Sequence, residues 1–231
     1  MNDHFVSAII VAAGNSTRMG KDKIFLNLIN KPAIAYTLKS FQDSNVINEI
    51  IVVCKDGVKN KLKNIITQYN ISKFKCFATG GIVRQESVFS GIKQCSEQTS
   101  YYAIHDAARC LVTIDEINDV VTDAFNNKAS SLGVPCKDTL KFLTSSNFVK
   151  DTPDRNLLWS IQTPQVFEKN LYLKALRSAT ENKKNYTDDC QLVENISVPV
   201  HIVKGNYSNL KLTTPEDIII FESILNKRGT K

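Results

Sequence analysis

The first hydrophobic segment of the chain, Phe5–Val11, is apolar at every position except Ser7. A short, near-continuous apolar run of this kind is typical of a parallel strand that is covered on both faces. Glu49–Cys54 (EIIVVC) has the same character and predicts a second buried strand. The hydrophobic pattern therefore indicates a sheet with helices on both sides.

Up to Pro135 the chain alternates between two periodicities. Apolar residues three and four positions apart predict helices, and short apolar runs predict strands. The predicted helices are Pro32–Phe41, Val58–Tyr69, Arg84–Cys95 and Ile114–Asn126, and the further predicted strands are Phe74–Ala78, Tyr101–His105 and Ser130–Pro135. This alternation predicts an α/β fold with a Rossmann-like, doubly wound, mostly parallel sheet.

The rhythm changes after Pro135. Lys137–Leu143 and Leu157–Gln162 alternate in the manner of strands and are joined by the polar segment Thr144–Asp154. They predict an antiparallel β-hairpin that leaves the parallel core, and we expect residues 137–160 to form a dimerisation arm. Its apolar side chains would be covered by a partner subunit, giving a homodimer: Leu140, Phe142, Leu157 and Trp159.

The remainder of the chain returns to the α/β pattern. It predicts a helix that ends at Arg177, a strand at Val198–Val203 and a last helix with Pro215 near its first turn.

Composition narrows the class of protein. With 231 residues and 42% hydrophobic content the chain can bury a full core, and we expect one domain spanning residues 1–231. Its 29 basic and 23 acidic side chains give a net charge of +6, which favours anionic partners. The basic residues are scattered and lack interleaved aromatic residues, so nucleic acid is not the expected partner.

The six cysteines form no Cys-x-x-Cys pair and have no histidine at ligand spacing. We interpret them as reduced, mostly buried thiols of a cytoplasmic protein, in preference to a zinc site or disulfides. The amino terminus has no basic region ahead of its apolar run, and no apolar stretch is long enough to span a membrane.

The loop after the first strand carries the first candidate chemistry. Small residues stand where a backbone could approach a ligand closely: Ala12, Ala13 and Gly14. Asn15–Thr17 adds polar donors, and Arg18 and Lys23 bring two cations to the same loop. Exposed amides and positive charge after a first strand predict a phosphate site at the carboxyl edge of the sheet.

Two common phosphate motifs fit this loop poorly. A Walker P-loop has four residues between its glycines and then Lys-Ser/Thr, whereas five residues separate Gly14 from Gly20 and Asp22 follows Lys21. A dinucleotide fingerprint requires Gly-x-Gly-x-x-Gly, which Asn15 and Ser16 interrupt. An ordinary glycine-containing turn with two surface cations is the remaining alternative.

Two further strand ends carry candidate binding residues. Gly80 and Gly81 follow a strand and leave backbone groups to read a base, while Arg84 and Ser87 open the next helix, whose dipole favours an anion. The alternative is a structural glycine turn.

Asp106 and Arg109 follow another strand, within His105-Asp-Ala-Ala-Arg109. Asp106 can hold ribose hydroxyls or Mg²⁺ that bridges phosphates, and Arg109 suits a second phosphate. The alternative has Asp106 capping a turn. His105 is expected to be a neutral core residue without a catalytic role.

These segments together carry a family resemblance. The first loop, Ala-Ala-Gly-x-x-x-Arg-Met-Gly followed by Asp-Lys, resembles the signature of sugar-phosphate nucleotidyltransferases. From about Phe5 to Glu222 the chain is similar to the 2-C-methyl-D-erythritol 4-phosphate cytidylyltransferase family of the non-mevalonate isoprenoid pathway. The segments are GIVRQESVFSG, HDAAR, KDTLK, DRNLLWSIQTPQVF, YTDDCQLVE and GNYSNLKLTTPEDI. Ribitol 5-phosphate cytidylyltransferases share several of them and are the alternative; a non-catalytic nucleotide-binding protein is a more distant one.

The resemblance implies transfer of CMP from CTP to a sugar-alcohol phosphate, with Mg²⁺ as cofactor and Arg18 and Lys23 as catalytic residues. The nucleotide-binding residues it implies are Ala12, Ala13, Gly14, Gly81, Arg84, Ser87, Asp106 and Ala107, with Asp106 also near the metal. The implied substrate-binding residues are Arg109, Thr139, Arg155, Thr163 and Lys211.

The chain departs from the family pattern at three places. The first loop is two residues shorter than in many members, and the alignment of the following residues makes Lys23, rather than Lys21, the equivalent lysine. Ile82 replaces a residue that is often acidic, and Cys110 stands where proline usually follows Arg109, which puts the rigidity of that turn in question.

Overall fold

A computed structural model describes residues 4–14 and 22–229, and its centre is a seven-stranded sheet. The strands that it contains are β1 (Phe5–Val11), β2 (Asn27–Leu28), β3 (Lys31–Pro32), β4 (Glu49–Cys54), β5 (Phe74–Thr79), β6 (Thr99–Asp106), β7 (Ala129–Pro135), β8 (Phe142–Leu143), β9 (Val149–Asp151), β10 (Trp159–Glu168) and β11 (His201–Lys204).

The helices are α1 (Ala33–Asp43), α2 (Lys59–Gln68), α3 (Arg84–Ile92), α4 (Ile114–Asn127), α5 (Lys169–Glu181), α6 (Asp189–Glu194) and α7 (Asp217–Lys227). Among the helices of the described residues, none has the length and apolar character needed to cross a bilayer.

The strand order in the sheet is β11-β7-β10-β6-β1-β4-β5. Every neighbouring pair is parallel except those of β10, which is antiparallel to both β6 and β7. The prediction of a mostly parallel α/β sheet is therefore confirmed. Because the chain runs from β1 outward to β5 and then returns to β6 on the other side of β1, the carboxyl ends of these strands border a crevice.

Alternating side chains on the central strands pack into two separate cores. Ile10 and Val52 contact the layer formed by α1, α2 and α4, whereas Ile9 and Ile51 contact the layer that contains α3, α5 and α6. These four side chains are fully buried. Covering on both faces explains why β1 and β4 read as continuous apolar runs.

The predicted hairpin is wrong in its strand pairing. In the described structure β8 pairs with β9, and the expected second strand lies within β10, which pairs with β6 and β7 in the main sheet. The physical reason is that Trp159–Ile161 finds backbone partners along β7, with Trp159 opposite Pro135. What extends away from the sheet is therefore the segment between Pro135 and Trp159.

The turn that contains Cys110 is supported by a third apolar cluster. Cys110 is buried with Leu212 and Phe221 of the carboxyl-terminal part of the chain. The Leu212 amide donates to the Ala108 carbonyl at 2.8 Å. These contacts hold the turn after Asp106 without the proline that is usual there.

Candidate active site

A cleft of about 500 Å³ lies at the carboxyl ends of β1, β4, β5 and β6. The sequence predicted that residues at these strand ends would meet, and many of them line this cleft. The predicted residues on its wall are Ala12, Ala13, Gly14, Lys23, Gly81, Arg84, Ser87, Asp106 and Lys211. Arg18, the other predicted catalytic residue, lies outside the described residues, as does Lys21.

The described wall of the cleft is predominantly basic. Its charged side chains are Lys23, Lys55, Arg84 and Lys211 against the single carboxylate of Asp106. Cations at the end of a parallel sheet favour a polyanionic ligand. Lys55 follows β4 directly and is not among the predicted site residues, although its place at a strand end was a signal for it.

The first and second loops touch each other at Ala13 and Gly80. A Cβ atom placed on Gly80 would lie only 2.2 Å from Ala13 Cβ. Glycine is therefore required at this position, because any side chain would push the two loops apart. The contact joins the two loops on one side of the cleft.

The amides of the second loop are less available than the sequence suggested. The Gly81 N–H donates to Ser87 Oγ at 3.0 Å, and the Ile82 N–H donates to Glu86 Oε2 at 2.8 Å. Glu86 thereby fixes the loop at the start of α3. The expectation of free amides is corrected at these two positions, since both have partners within the chain.

Asp106 lies at the end of β6 and is almost fully buried. Lys211 Nζ is 2.6 Å from one of its carboxylate oxygens, and Arg84 Nε is 3.3 Å from the other. Burial alone would raise the pKa of Asp106, but the charges of Arg84 and Lys211 outweigh it and hold the pKa well below the ordinary value. Asp106 is therefore ionised at neutral pH.

His105 and Thr163 lie behind Asp106. The Asp106 amide donates to Thr163 Oγ1 at 3.1 Å, and Thr163 Oγ1 lies 3.0 Å from His105 Nδ1. His105 Nε2 contacts the Arg109 carbonyl at 3.2 Å, so Nε2 carries the proton and Thr163 donates to Nδ1. Burial lowers the pKa of His105 to about 3. It is a neutral structural residue, as expected.

Lys23 lies in a short 3-10 helix, Lys23–Phe25, that lines the cleft. Its charge helps to lower the pKa of Asp217. Burial would raise that pKa, but amide hydrogen bonds from Thr214 and Thr213, together with Lys23, more than offset it. The contribution of Lys23 is the smallest of these effects.

The other predicted residues lie away from the cleft wall. The Arg109 guanidinium donates to the carbonyls of Asn209 at 2.8 Å and Ile161 at 3.4 Å. Ala107 is fully buried. Thr139 and Arg155 are exposed in the segment that extends from the sheet, where Arg155 donates to the Lys137 carbonyl at 3.4 Å.

Within residues 4–14 and 22–229, no three His, Cys, Asp or Glu side chains form a group that could hold a metal ion. Asp106 is the carboxylate that the described part of the chain places on the cleft wall. A carboxylate beside a polyanion site matches the oxygen ligands that Mg²⁺ prefers.

Comparisons with known proteins agree on one family. The family model described as 2-C-methyl-D-erythritol 4-phosphate cytidylyltransferase matches residues 6–227. A curated protein of that name from Caldanaerobacter subterraneus is 44% identical over 225 residues, which cover 96% of this chain and 99% of that protein. A second, from Clostridioides difficile, is 44% identical over 95% of this chain and 93% of that protein.

A solved structure is also similar. The crystal structure of 4-diphosphocytidyl-2C-methyl-D-erythritol synthase from Anaerococcus prevotii has a TM-score of 0.88 and 30% identity, covering 97% of this chain and 100% of that chain.

Proposed function

The chain belongs to the 2-C-methyl-D-erythritol 4-phosphate cytidylyltransferase family, and we propose that its cleft transfers CMP from CTP to 2-C-methyl-D-erythritol 4-phosphate. The products are pyrophosphate and 4-diphosphocytidyl-2-C-methyl-D-erythritol, an isoprenoid precursor. The observation that carries this proposal is the basic cleft at the carboxyl edge, where Lys23, Arg84, Asp106 and Lys211 share one wall.

The charges of the cleft suit phosphoryl chemistry. A phosphate oxygen of the acceptor attacks the α-phosphorus of CTP in line, the new P–O bond forms, and the bond to the β-phosphate breaks as pyrophosphate leaves. The protein needs no covalent nucleophile, because alignment and charge compensation lower the barrier. Lys23 is proposed to meet charge that develops on the α-phosphate, together with Arg18.

Asp106 is proposed to lie beside the ribose and the metal. Both Asp106 oxygens contact cations of the chain, so the carboxylate is ionised, and a ribose hydroxyl or a metal would have to replace one of these contacts. We propose Mg²⁺ as the metal, held mainly through the phosphates of CTP. When bound, it would neutralise part of the triphosphate charge.

The base is proposed to lie against the first two loops. Ala12 to Gly14, Gly81 and Ser87 all line the cleft, and the Gly81 amide donates a hydrogen bond to Ser87. This rigid surface supports recognition of cytosine by shape and backbone carbonyls. The buried Ala107 would pack behind the part of the cleft that binds the ribose.

The acceptor phosphate is proposed to be bound by Lys211 in the cleft and by Arg109, Thr139 and Arg155, with Thr163 lining the same pocket. Thr139 and Arg155 lie in the extended segment, which exposes Phe142, Leu157 and other large apolar side chains. We propose that this segment is the dimerisation arm and that it brings both residues to the partner's cleft.

Six free cysteines support a reducing compartment, and we propose the cytoplasm as the location.

Pyrophosphate release from CTP with each sugar phosphate in turn tests the proposed function. We expect turnover with 2-C-methyl-D-erythritol 4-phosphate and a much lower kcat/KM with ribitol 5-phosphate. The reverse order would assign the chain to the ribitol reaction, and no release with either would exclude both.

A further inference from the structure

Asp189, at the start of α6, is a carboxylate that the proposed mechanism does not use. It is only 2% exposed. Tyr172 donates its hydroxyl to Asp189 Oδ1 at 2.5 Å, and Arg84 Nη1 donates to Oδ2 at 2.6 Å. The Asp189 amide donates to Gln165 Oε1 at 3.0 Å. Side chains of β10, α5 and α3 therefore fix this residue.

Capping of α6 does not explain the Asp189 carboxylate. The neighbouring Asp188 is the cap residue, since it accepts the Gln191 amide at 2.9 Å. Burying a carboxylate costs free energy unless it is paired, and a buried ion pair is weak evidence for a stabilising role. Another role must therefore explain why Asp189 is buried. That role is its contact with Arg84.

Arg84 connects Asp189 to the cleft. Its guanidinium donates through Nη1 to Asp189 and through Nε to Asp106, and only Asp106 and Arg84 lie on the cleft wall. Because a guanidinium is a rigid planar fork, fixing one edge sets the direction of the other. Asp189 therefore controls how Arg84 faces the site.

The two distances show which carboxylate holds Arg84 more closely. The contact with Asp189 is 2.6 Å and that with Asp106 is 3.3 Å. Without Asp189, the guanidinium would be free to move onto Asp106, which already pairs with Lys211. That movement would occupy the carboxylate that the nucleotide needs.

We propose that Asp189 is a positioning residue that holds Arg84 in place and keeps Asp106 accessible to the nucleotide. The proposal rests on the proposed function, because it assigns Arg84 and Asp106 to CTP. Asp189 acts through Arg84 and touches no substrate.

The test compares Asp189→Asn with Glu194→Gln, which removes an exposed carboxylate of the same helix and leaves the Arg84 contact intact. Folding is checked by circular dichroism. We expect Asp189→Asn to lower kcat/KM for CTP by about tenfold or more, as for loss of a charged hydrogen bond. Glu194→Gln should remain near the wild-type value. In an Arg84→Met background, Asp189→Asn should cause no further loss.

A second readout follows Arg84 directly in the ligand-free protein. Its Nε–H resonance in a ¹⁵N spectrum is assigned by its loss in Arg84→Lys. We expect this resonance to shift or broaden in Asp189→Asn and to stay unchanged in Glu194→Gln. Tyr172→Phe, which removes one hydrogen bond and keeps the ring, should perturb it in the same direction if Asp189→Asn fails to fold.

An unchanged kcat/KM and Nε–H resonance in folded Asp189→Asn would overturn the proposal. So would losses that add in the Arg84→Met background, or an unperturbed resonance in Tyr172→Phe when Asp189→Asn does not fold. The spectrum requires no turnover, so a wild-type chain that fails to use CTP would contradict the proposed function and leave the Arg84 test in force.

Discussion

Lys211 pairs with Asp106 on the wall of the cleft, and its Nζ lies 2.6 Å from Asp106 Oδ2. Arg84 approaches the other carboxylate oxygen to 3.3 Å. The Asp106 carboxylate is thus paired with two cations of the chain before a ligand binds. Binding of a nucleotide with its metal must rearrange this charge cluster, so the ionised form of Asp106 becomes a testable requirement.

We expect Asp106→Asn to lower kcat/KM for CTP by on the order of tenfold or more. A neutral amide binds cations more weakly than a carboxylate does, and it accepts hydrogen bonds from ribose hydroxyls less strongly. Activity should also disappear in a chelator and return with added Mg²⁺. Asp115→Asn, an exposed change on α4, is the matched control. Full activity in the chelator, or an unimpaired Asp106→Asn enzyme, would argue for a capping role of Asp106.

Lys23→Ala should reduce kcat by about a hundredfold or more while the chain stays folded, because a preorganised cation opposite developing charge contributes that much. The measurement is kcat at saturating CTP and acceptor. Lys21→Ala is the control and should have a far smaller effect. If Lys21→Ala is the inactive variant, the assignment of Lys23 in the shortened loop is wrong.

His105 should make the fold sensitive to acid. Its pKa is about 3 in the folded chain, against about 6.5 for a free histidine. As the pH falls below about 6.5, the unfolded chain binds a proton at this residue and the folded chain does not, so stability is lost on acidification. Between about pH 6.5 and 4.5 the free energy of unfolding should fall by about 2 kcal/mol from this residue.

Urea unfolding across this pH range measures the effect. Relative to the wild-type chain, His105→Gln should flatten the dependence of the free energy of unfolding on pH above about pH 4.5. An equal slope in the wild type and His105→Gln would show that other groups control acid stability.

Subunit mixing tests the shared site. Lys23→Ala and Arg155→Ala homodimers should each be nearly inactive. If Arg155 serves the partner's cleft, a mixed dimer contains one site with both residues intact. Random exchange makes about half the dimers mixed, so roughly a quarter of sites should recover.

Each variant taken alone through the same exchange protocol is the control. Mass spectrometry must first show that subunits exchange. Exchange without any return of activity would place Arg155 within its own chain's site and reject the arm as a donor of substrate-binding residues.

Local sequence patterns located the central sheet and the strand ends because burial on two faces leaves a clear apolar run. The strand Glu49–Cys54 has the predicted bounds, and β1 coincides with the apolar segment Phe5–Val11. The pairing of Trp159–Ile161 could not be predicted, since alternation is the same for an arm strand and a strand within a sheet. Register depends on contacts distant in sequence.

The sequence predicted those residues of the candidate site that stand at the end of a strand. Asp106 and Gly81 lie in such places, and both line the cleft. Asp189 was not found, because an Asp-Asp pair before a short helix is typical of a cap and its sequence does not show that the carboxylate is buried. The amide partners supplied by Ser87 and Glu86 were missed for the same reason.

Product identification by ³¹P NMR tests the central claim most directly. Wild-type chain, Mg²⁺, CTP and 2-C-methyl-D-erythritol 4-phosphate are combined, and the phosphorus products are assigned. Attack at the α-phosphorus predicts pyrophosphate together with two coupled resonances of a cytidine diphosphate linked to the sugar alcohol, in equal amounts. Release of CDP with a sugar diphosphate, which attack at the γ-phosphorus would give, or the absence of any new phosphorus-containing product, would contradict cytidylyl transfer at this cleft.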